Sequence, residues 1–118
     1  MEKRDCVWSH IKALAGMDVR LLGPSGKRIQ VLRVGEGAVT VRKSTGNDDD
    51  IERHLIEGVA REVRCRGRMT REEVLGFIGQ YHSSSICALL VATRLFRYTA
   101  NPITLLPACD PAGGACGL

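Results

Sequence analysis

Seven successive apolar residues, Ile86 to Ala92, stand in the second half of this 118-residue chain. Ile86, Leu89, Leu90 and Thr93 recur at helical spacing, and Leu95 or Phe96 closes the stripe. Ahead of them, Ser83, Ser84 and Ser85 offer side-chain oxygens as N-caps, so a helix is expected from about Ser84 to Phe96. A helix that is apolar all round has no face for water and must be enclosed, in a core or in a dimer. The rest of the chain therefore has to supply that enclosure or leave the helix to a partner.

A second short helix is written just before it. Thr70-Arg71-Glu72-Glu73 has the spacing of a capping box, in which the threonine hydroxyl accepts from the Glu73 amide and the Glu73 carboxylate accepts from the Thr70 amide. Val74, Leu75 and Ile78 follow at three- and four-residue spacing with Phe77 beside them, and Gly79 ends the pattern. Two short helices joined around a glycine, the second opening with small hydroxylated residues, are laid out like a helix that crosses a DNA backbone and one that enters the major groove.

On these residues the chain resembles the helix-turn-helix class, winged-helix relatives included, over residues 70–96. With Glu72 as the first position of the pattern, Leu75, Gly76, Tyr81, Ile86 and Leu89 fall where apolar or small residues are expected. Gly79 departs from the pattern by standing one position early, so that Gln80 takes the turn position. The resemblance implies duplex DNA as the ligand and transcriptional regulation as the role. In that reading Gln80, Ser83, Ser84 and Ser85 at the start of the second helix reach base edges or phosphates, and His82 adds a phosphate contact that strengthens as pH falls.

Charge is polarised along the chain. Seventeen Lys and Arg against thirteen Asp and Glu leave +4, a balance that permits nucleic acid without requiring it. Arg61, Arg64, Arg66, Arg68 and Arg71 face only Glu62 in their window, whereas Asp48, Asp49 and Asp50 form an acidic run just before it. Arg64, Arg66, Arg68 and Arg71 are candidates to grip phosphates at the flank of the groove, and Arg94 and Arg97, three residues apart, are expected together at the far end of the second helix. An arginine-rich loop between helices is equally read as an ordinary solvated connection.

Upstream, Val7, Trp8, Ile11 and Leu14 make a short helical stripe that Gly16 ends. The period then changes to two: Val19 and Leu21, Ile29 and Val31, Val39 and Val41 alternate with polar partners, with turns marked by glycines at 23 to 26 and 35 to 37. This predicts a three-stranded antiparallel meander. Its other face carries Arg20, Lys27, Arg28, Gln30, Arg33, Arg42 and Lys43, a strongly basic surface that either keeps the sheet soluble or, through Arg42 and Lys43, contacts phosphate. Asp48 to Asp50 are expected to cap the next helix, in which Ile51, Leu55, Val59 and Val63 recur every four residues and Gly58 weakens the interior. Pro102 forbids a helix through Tyr98 to Pro107, so a short strand or extended arm is expected there, packed on the sheet or on a second subunit.

The expected architecture is α+β: one domain over residues 1–107, a small antiparallel three-stranded meander packed with a helical part containing the helix-turn-helix, and a flexible tail over 108–118. Five cysteines at irregular spacing argue against a secreted disulfide framework, and Cys109 and Cys116 lack the spacing and the nearby histidine of a zinc site. No run reaches membrane-spanning length and no apolar leader follows the N-terminus, so a cytoplasmic protein is expected. Histidines at 10, 54 and 82 fall in three different elements, and no nucleophile elbow or phosphate loop occurs, which disfavours an enzyme. No cofactor or metal is implied. The reading is a DNA-binding homodimer, with a protein-interaction module or small subunit of a larger complex as the alternative because the second helix is so apolar.

Overall fold

The computed structural model describes residues 7–22, 27–43, 46–79, 83–100 and 102–108. Residues 109–118, expected as a flexible tail, and Gln80 to His82 lie outside them. The architecture is α+β: helix α1 (Val7–Lys12), strands β1 (Asp18–Arg20), β2 (Arg28–Val34), β3 (Ala38–Lys43) and β4 (Asp48–Glu52), helix α2 (Arg53–Arg66), strand β5 (Met69–Thr70), helices α3 (Arg71–Ile78) and α4 (Ser83–Ala92), and strands β6 (Phe96–Thr99) and β7 (Thr104–Pro107).

The first sheet is an antiparallel meander in the order β1-β2-β3-β4, four strands rather than the expected three. Strand β4 is built from the acidic run. Asp48, Asp49 and Asp50 pair in register with Arg42, Val41 and Thr40, and Ile51 meets Val39 across the core face. Cross-strand partners of opposite charge, together with burial of Ile51 at 0% exposure, outweigh the low strand propensity of aspartate. The aspartates therefore do not cap α2, whose N-cap is Glu52 with no side-chain cap bond. Pairing also brings acid onto the outer face, where Asp18, Asp48, Asp50 and Glu52 now stand among Arg20, Arg28, Arg33 and Arg42. The outer face is mixed in sign and not strongly basic.

The inner face is apolar by alternation: Val19, Ile29, Val31, Val39, Val41 and Ile51 are all buried. Helix α1 closes one end of it. Trp8 is buried and its indole N–H donates to the Gly35 carbonyl at 2.9 Å. The Arg53 guanidinium lies 5.2 Å from the Trp8 ring centroid, donates to the Glu36 carbonyl and pairs with Glu57, tying the first turn of α2 to the β2–β3 turn.

The second sheet has the order β5-β7-β6, all antiparallel. The expected extended arm is thus a hairpin, β6–β7, completed by the two residues of β5 ahead of α3. Helix α4 ends at Ala92, four residues before the expected Phe96, because Thr93 to Leu95 turn the chain and Phe96 starts β6. The Leu95 amide donates to the Thr93 hydroxyl at 3.2 Å in that turn.

Helix α4 joins the two halves. It contacts α3, β6, β1 and α2, so both sheets and two helices share in covering it. Ile86, Cys87, Leu89 and Leu90 are 0% exposed. The capping box forms as expected: Glu73 N–H donates to Thr70 Oγ1 at 3.1 Å, and Thr70 N–H donates to Glu73 Oε1 at 2.9 Å. Gly79 closes α3 in the left-handed conformation at φ 68°, its N–H bonded to the Leu75 carbonyl. Gly58 has a packing role: a Cβ there would stand 3.2 Å from Phe77 Cε2, so its absence lets α2 and α3 approach.

Three substitutions test this packing. Thr70→Ala is expected to lower the unfolding free energy at neutral pH by about 1 kcal/mol, read by denaturant titration with the single Trp8 as reporter. The bond from the Thr70 amide holds the Glu73 carboxyl below its ordinary range. A depressed carboxyl stabilises the fold above its unfolded pKa and loses that effect as pH falls through the folded value, so the penalty of Glu73→Ala, which removes the acceptor of that amide, shrinks in acid. Gly58→Ala is expected to be near neutral, because a helix gain of about 1 kcal/mol is offset by displacing the ring. In a Phe77→Ala background the same change should show the gain in full.

Candidate nucleic-acid interface

The residues named for phosphate contact divide into those already engaged within the protein and those left open. Arg42 and Lys43 belong to the first group. Arg42 Nε and Nη2 donate to the two Asp48 carboxylate oxygens at 2.8 and 3.3 Å, and Lys43 Nζ sits 2.7 Å from Asp49 Oδ2. The Arg42 hydrogen bond and charge hold the Asp48 carboxyl below its usual range, and Asp48 in turn raises the Arg42 pKa. These two cations therefore present little uncompensated charge.

Arg66 is paired one helical turn back with Glu62, Nε to Oε1 at 2.9 Å. Arg64 lies with its guanidinium 5.3 Å from the centroid of the buried Phe96 ring, a cation–π contact, and the residue as a whole remains exposed. Arg61, Arg68 and Arg71 are exposed and, among the described residues, in no ion pair.

These side chains share one corner. Gly67 ends α2 in the left-handed conformation, φ 87°, with its N–H on the Val63 carbonyl, and turns the chain so that Arg68 leads directly into β5. The Arg71 amide then donates to the Ile103 carbonyl at 2.9 Å, which sets the first residue of α3 against the β6–β7 turn. The end of α2, the start of α3 and the hairpin turn are thus adjacent, and Arg64, Arg66, Arg68 and Arg71 surround that junction. Leu75 and Phe77 are the large apolar residues that α3 leaves partly exposed, each at 45%.

The serine triplet is placed differently from expectation. Ser83 and Ser85 are buried, at 8% and 6% exposure, and Ser84 alone is half-buried. Two of the three hydroxyls are therefore turned into the fold rather than standing at an open helix end. Nothing basic or amide-bearing occurs along α4 itself, and only Ser84, Val91 and Ala92 escape full burial. Gln80 and His82 fall outside the described residues.

Arg94 and Arg97 leave the helix: Arg94 lies in the turn after α4, and Arg97 lies on β6 opposite Leu106. Arg94 adopts φ 67° and is the non-glycine residue with positive φ among those described. Its amide bonds to the Val91 carbonyl at 2.9 Å, so it occupies the helix-ending position that glycine usually fills.

Burial pushes the Cys87 thiol up to about 12, leaving it protonated and unreactive, whereas Cys65 is exposed on α2. Among the described residues no three His, Cys, Asp or Glu side chains are grouped to hold a metal ion. No single helix among them is long and apolar enough to cross a membrane. No family model, curated protein or solved structure matches the chain, so the residues alone carry the functional argument.

Register is what the sequence could not disclose here. The Arg42–Asp48 and Lys43–Asp49 contacts follow from the pairing of β3 with β4, and the arginine corner follows from the αL turn at Gly67. Arg94→Gly is expected to raise stability by about 1 kcal/mol by relieving the left-handed backbone, measured by chemical denaturation. An unchanged or lower stability would show that the Arg94 side chain makes a compensating contact.

Proposed function

We propose that this chain is a DNA-binding protein of the winged-helix kind, a cytoplasmic transcriptional regulator that acts as a homodimer. The observation that carries the reading is the order α2-β5-α3-α4-β6-β7 around a small β5-β7-β6 sheet, a helix pair followed by a hairpin. The axes of α3 and α4 turn through 116°, within the range of helix-turn-helix pairs, across a break that opens with the left-handed Gly79. The arginine corner at the junction of α2, α3 and the hairpin supplies the cations that such a protein sets on phosphates.

Burial of α4 alters how the duplex is held. With Ser83 and Ser85 enclosed and no charged or amide side chain along the helix, the interface works mainly through the backbone, with Arg61, Arg64, Arg68 and Arg71 contacting phosphates. Such contacts give affinity with little sequence choice. One corner covers little DNA, which is why a dimer is required. The irregularly spaced cysteines fit a reducing compartment.

A second reading has its own support. The half-exposed Leu75 and Phe77 on α3 suit a protein partner, and an α4 that is apolar from Ile86 to Ala92 needs no DNA to explain it.

Fluorescence anisotropy of a labelled mixed-sequence duplex, titrated at salt from about 50 to 200 mM, separates the two readings. The DNA reading expects binding that weakens steeply with salt. It also expects Arg68→Gln with Arg71→Gln to reduce affinity about tenfold or more and to lower the salt slope by about two. Absence of binding at the lowest salt, or full affinity in the double variant, would sink it in favour of the protein-interaction reading.

A further inference from the structure

Three arginines of the first sheet, Arg20, Arg28 and Arg33, have no carboxylate within ion-pair distance among the described residues, and two of them oppose each other. Arg20 on β1 and Arg28 on β2 stand directly opposite each other, both exposed. The next pair along is the hydrogen-bonded one, with the Leu21 amide donating to the Lys27 carbonyl at 2.8 Å. Arg20 and Arg28 are therefore a non-hydrogen-bonded pair, the kind whose Cα atoms approach to about 4.5 Å. Like charges at such a position are destabilising unless something relieves them. Arg42, Lys43, Arg53 and Arg66 each have a carboxylate within ion-pair distance, but among the described residues Arg20 and Arg28 have none. The nearest acid in register, Asp18, faces Gln30.

An independent feature adjoins them. Arg20 also lines an open cavity of about 320 Å³ whose other walls are Leu21, Leu22, Val91 and Tyr98. Tyr98 is 43% exposed at the edge of β6, so its ring is available at the cavity mouth. The cavity reaches the lower end of the size range of small-ligand sites, with apolar walls and one cation at its rim.

We propose that this place binds an unpaired nucleotide of a nucleic-acid strand. The two planar guanidinium forks share its phosphate, which relieves the opposed charges, and the base enters the cavity against Tyr98, Leu21, Leu22 and Val91. Two adjacent forks match the several oxygens of a phosphate, and an aromatic wall matches the flat face of any base. The inference rests on the nucleic-acid reading above and adds to it a site at Val91, the end of α4 away from Ser83 to Ser85, for a strand end or a melted nucleotide.

The test compares a labelled blunt duplex with the same duplex carrying a four-thymidine 3′ overhang, using the full chain. Wild-type protein should bind the overhang duplex about tenfold more tightly than the blunt one. Arg20→Gln with Arg28→Gln, and separately Tyr98→Ala, should abolish that gain while leaving blunt-duplex affinity within about twofold, and Tyr98→Phe should retain it. Unchanged far-ultraviolet dichroism and Trp8 fluorescence would confirm that each variant is folded. The site is overturned if the overhang brings no gain or if the gain survives both variants, and salt-dependent blunt-duplex binding would then leave the broader reading standing. Failure of the wild type to bind either duplex would overturn both.

Discussion

Burying a helix that has no polar side is the constraint on which this molecule's arrangement depends. Each large aliphatic side chain of α4 is stabilised by roughly 1.5–3 kcal/mol when removed from water, but only if neighbours surround it completely. A single two-layer packing covers one face of a helix. Here β1 of the first sheet, β6 of the second, and helices α2 and α3 approach α4 from different directions. The two sheets are consequently not separate units joined by a linker, because the element between them is core to both.

That enclosure governs the surface chemistry. With α4 withdrawn, the proposed recognition falls to what lies around it: the arginines at the junction of α2, α3 and the hairpin, and the cavity that Arg20 of β1 and Tyr98 of β6 line. Charge on the first sheet is arranged in cross-strand pairs, Arg42 with Asp48 and Lys43 with Asp49. Exposed pairs of this kind contribute little to stability, about 0–1 kcal/mol each. Their larger effect is to quench basic charge at Arg42 and Lys43, which leaves Arg20, Arg28 and Arg33 as the sheet arginines with no paired carboxylate among the described residues.

Local chemistry was legible in the sequence where a short pattern decides the structure. The capping box at Thr70 and Glu73, the stop at Gly79 and the alternation of Val39 with Val41 each depend on residues a few positions apart, and each appears as read. Asp48 to Asp50 were misleading because three aspartates before an apolar period resemble a helix start. Their actual role depends on partners six to ten residues back, Arg42, Lys43 and Thr40, which only strand pairing brings alongside. Helix α4 is shorter than its sequence pattern for a similar reason. Thr93 and Leu95 continue the helical stripe in spacing, yet the second sheet needs Phe96 as a strand residue, and the chain turns through a positive-φ arginine to supply it. The candidate site divides along the same line. The arginine run was visible as a run, whereas the burial of Ser83 and Ser85 and the opposition of Arg20 to Arg28 are properties of packing and register.

Native-state amide hydrogen exchange addresses the enclosure of α4 most directly, because it reports whether an element opens by itself or only with the whole molecule. The arrangement described here predicts that the amides of Ile86 to Leu90 exchange at the free energy of global unfolding, together with those of Ile29, Val31, Val39 and Val41 on the first sheet. Exchange of α4 through a lower-energy opening that leaves the first sheet protected would contradict it, and would mean that the helix is free to leave the core and meet a partner.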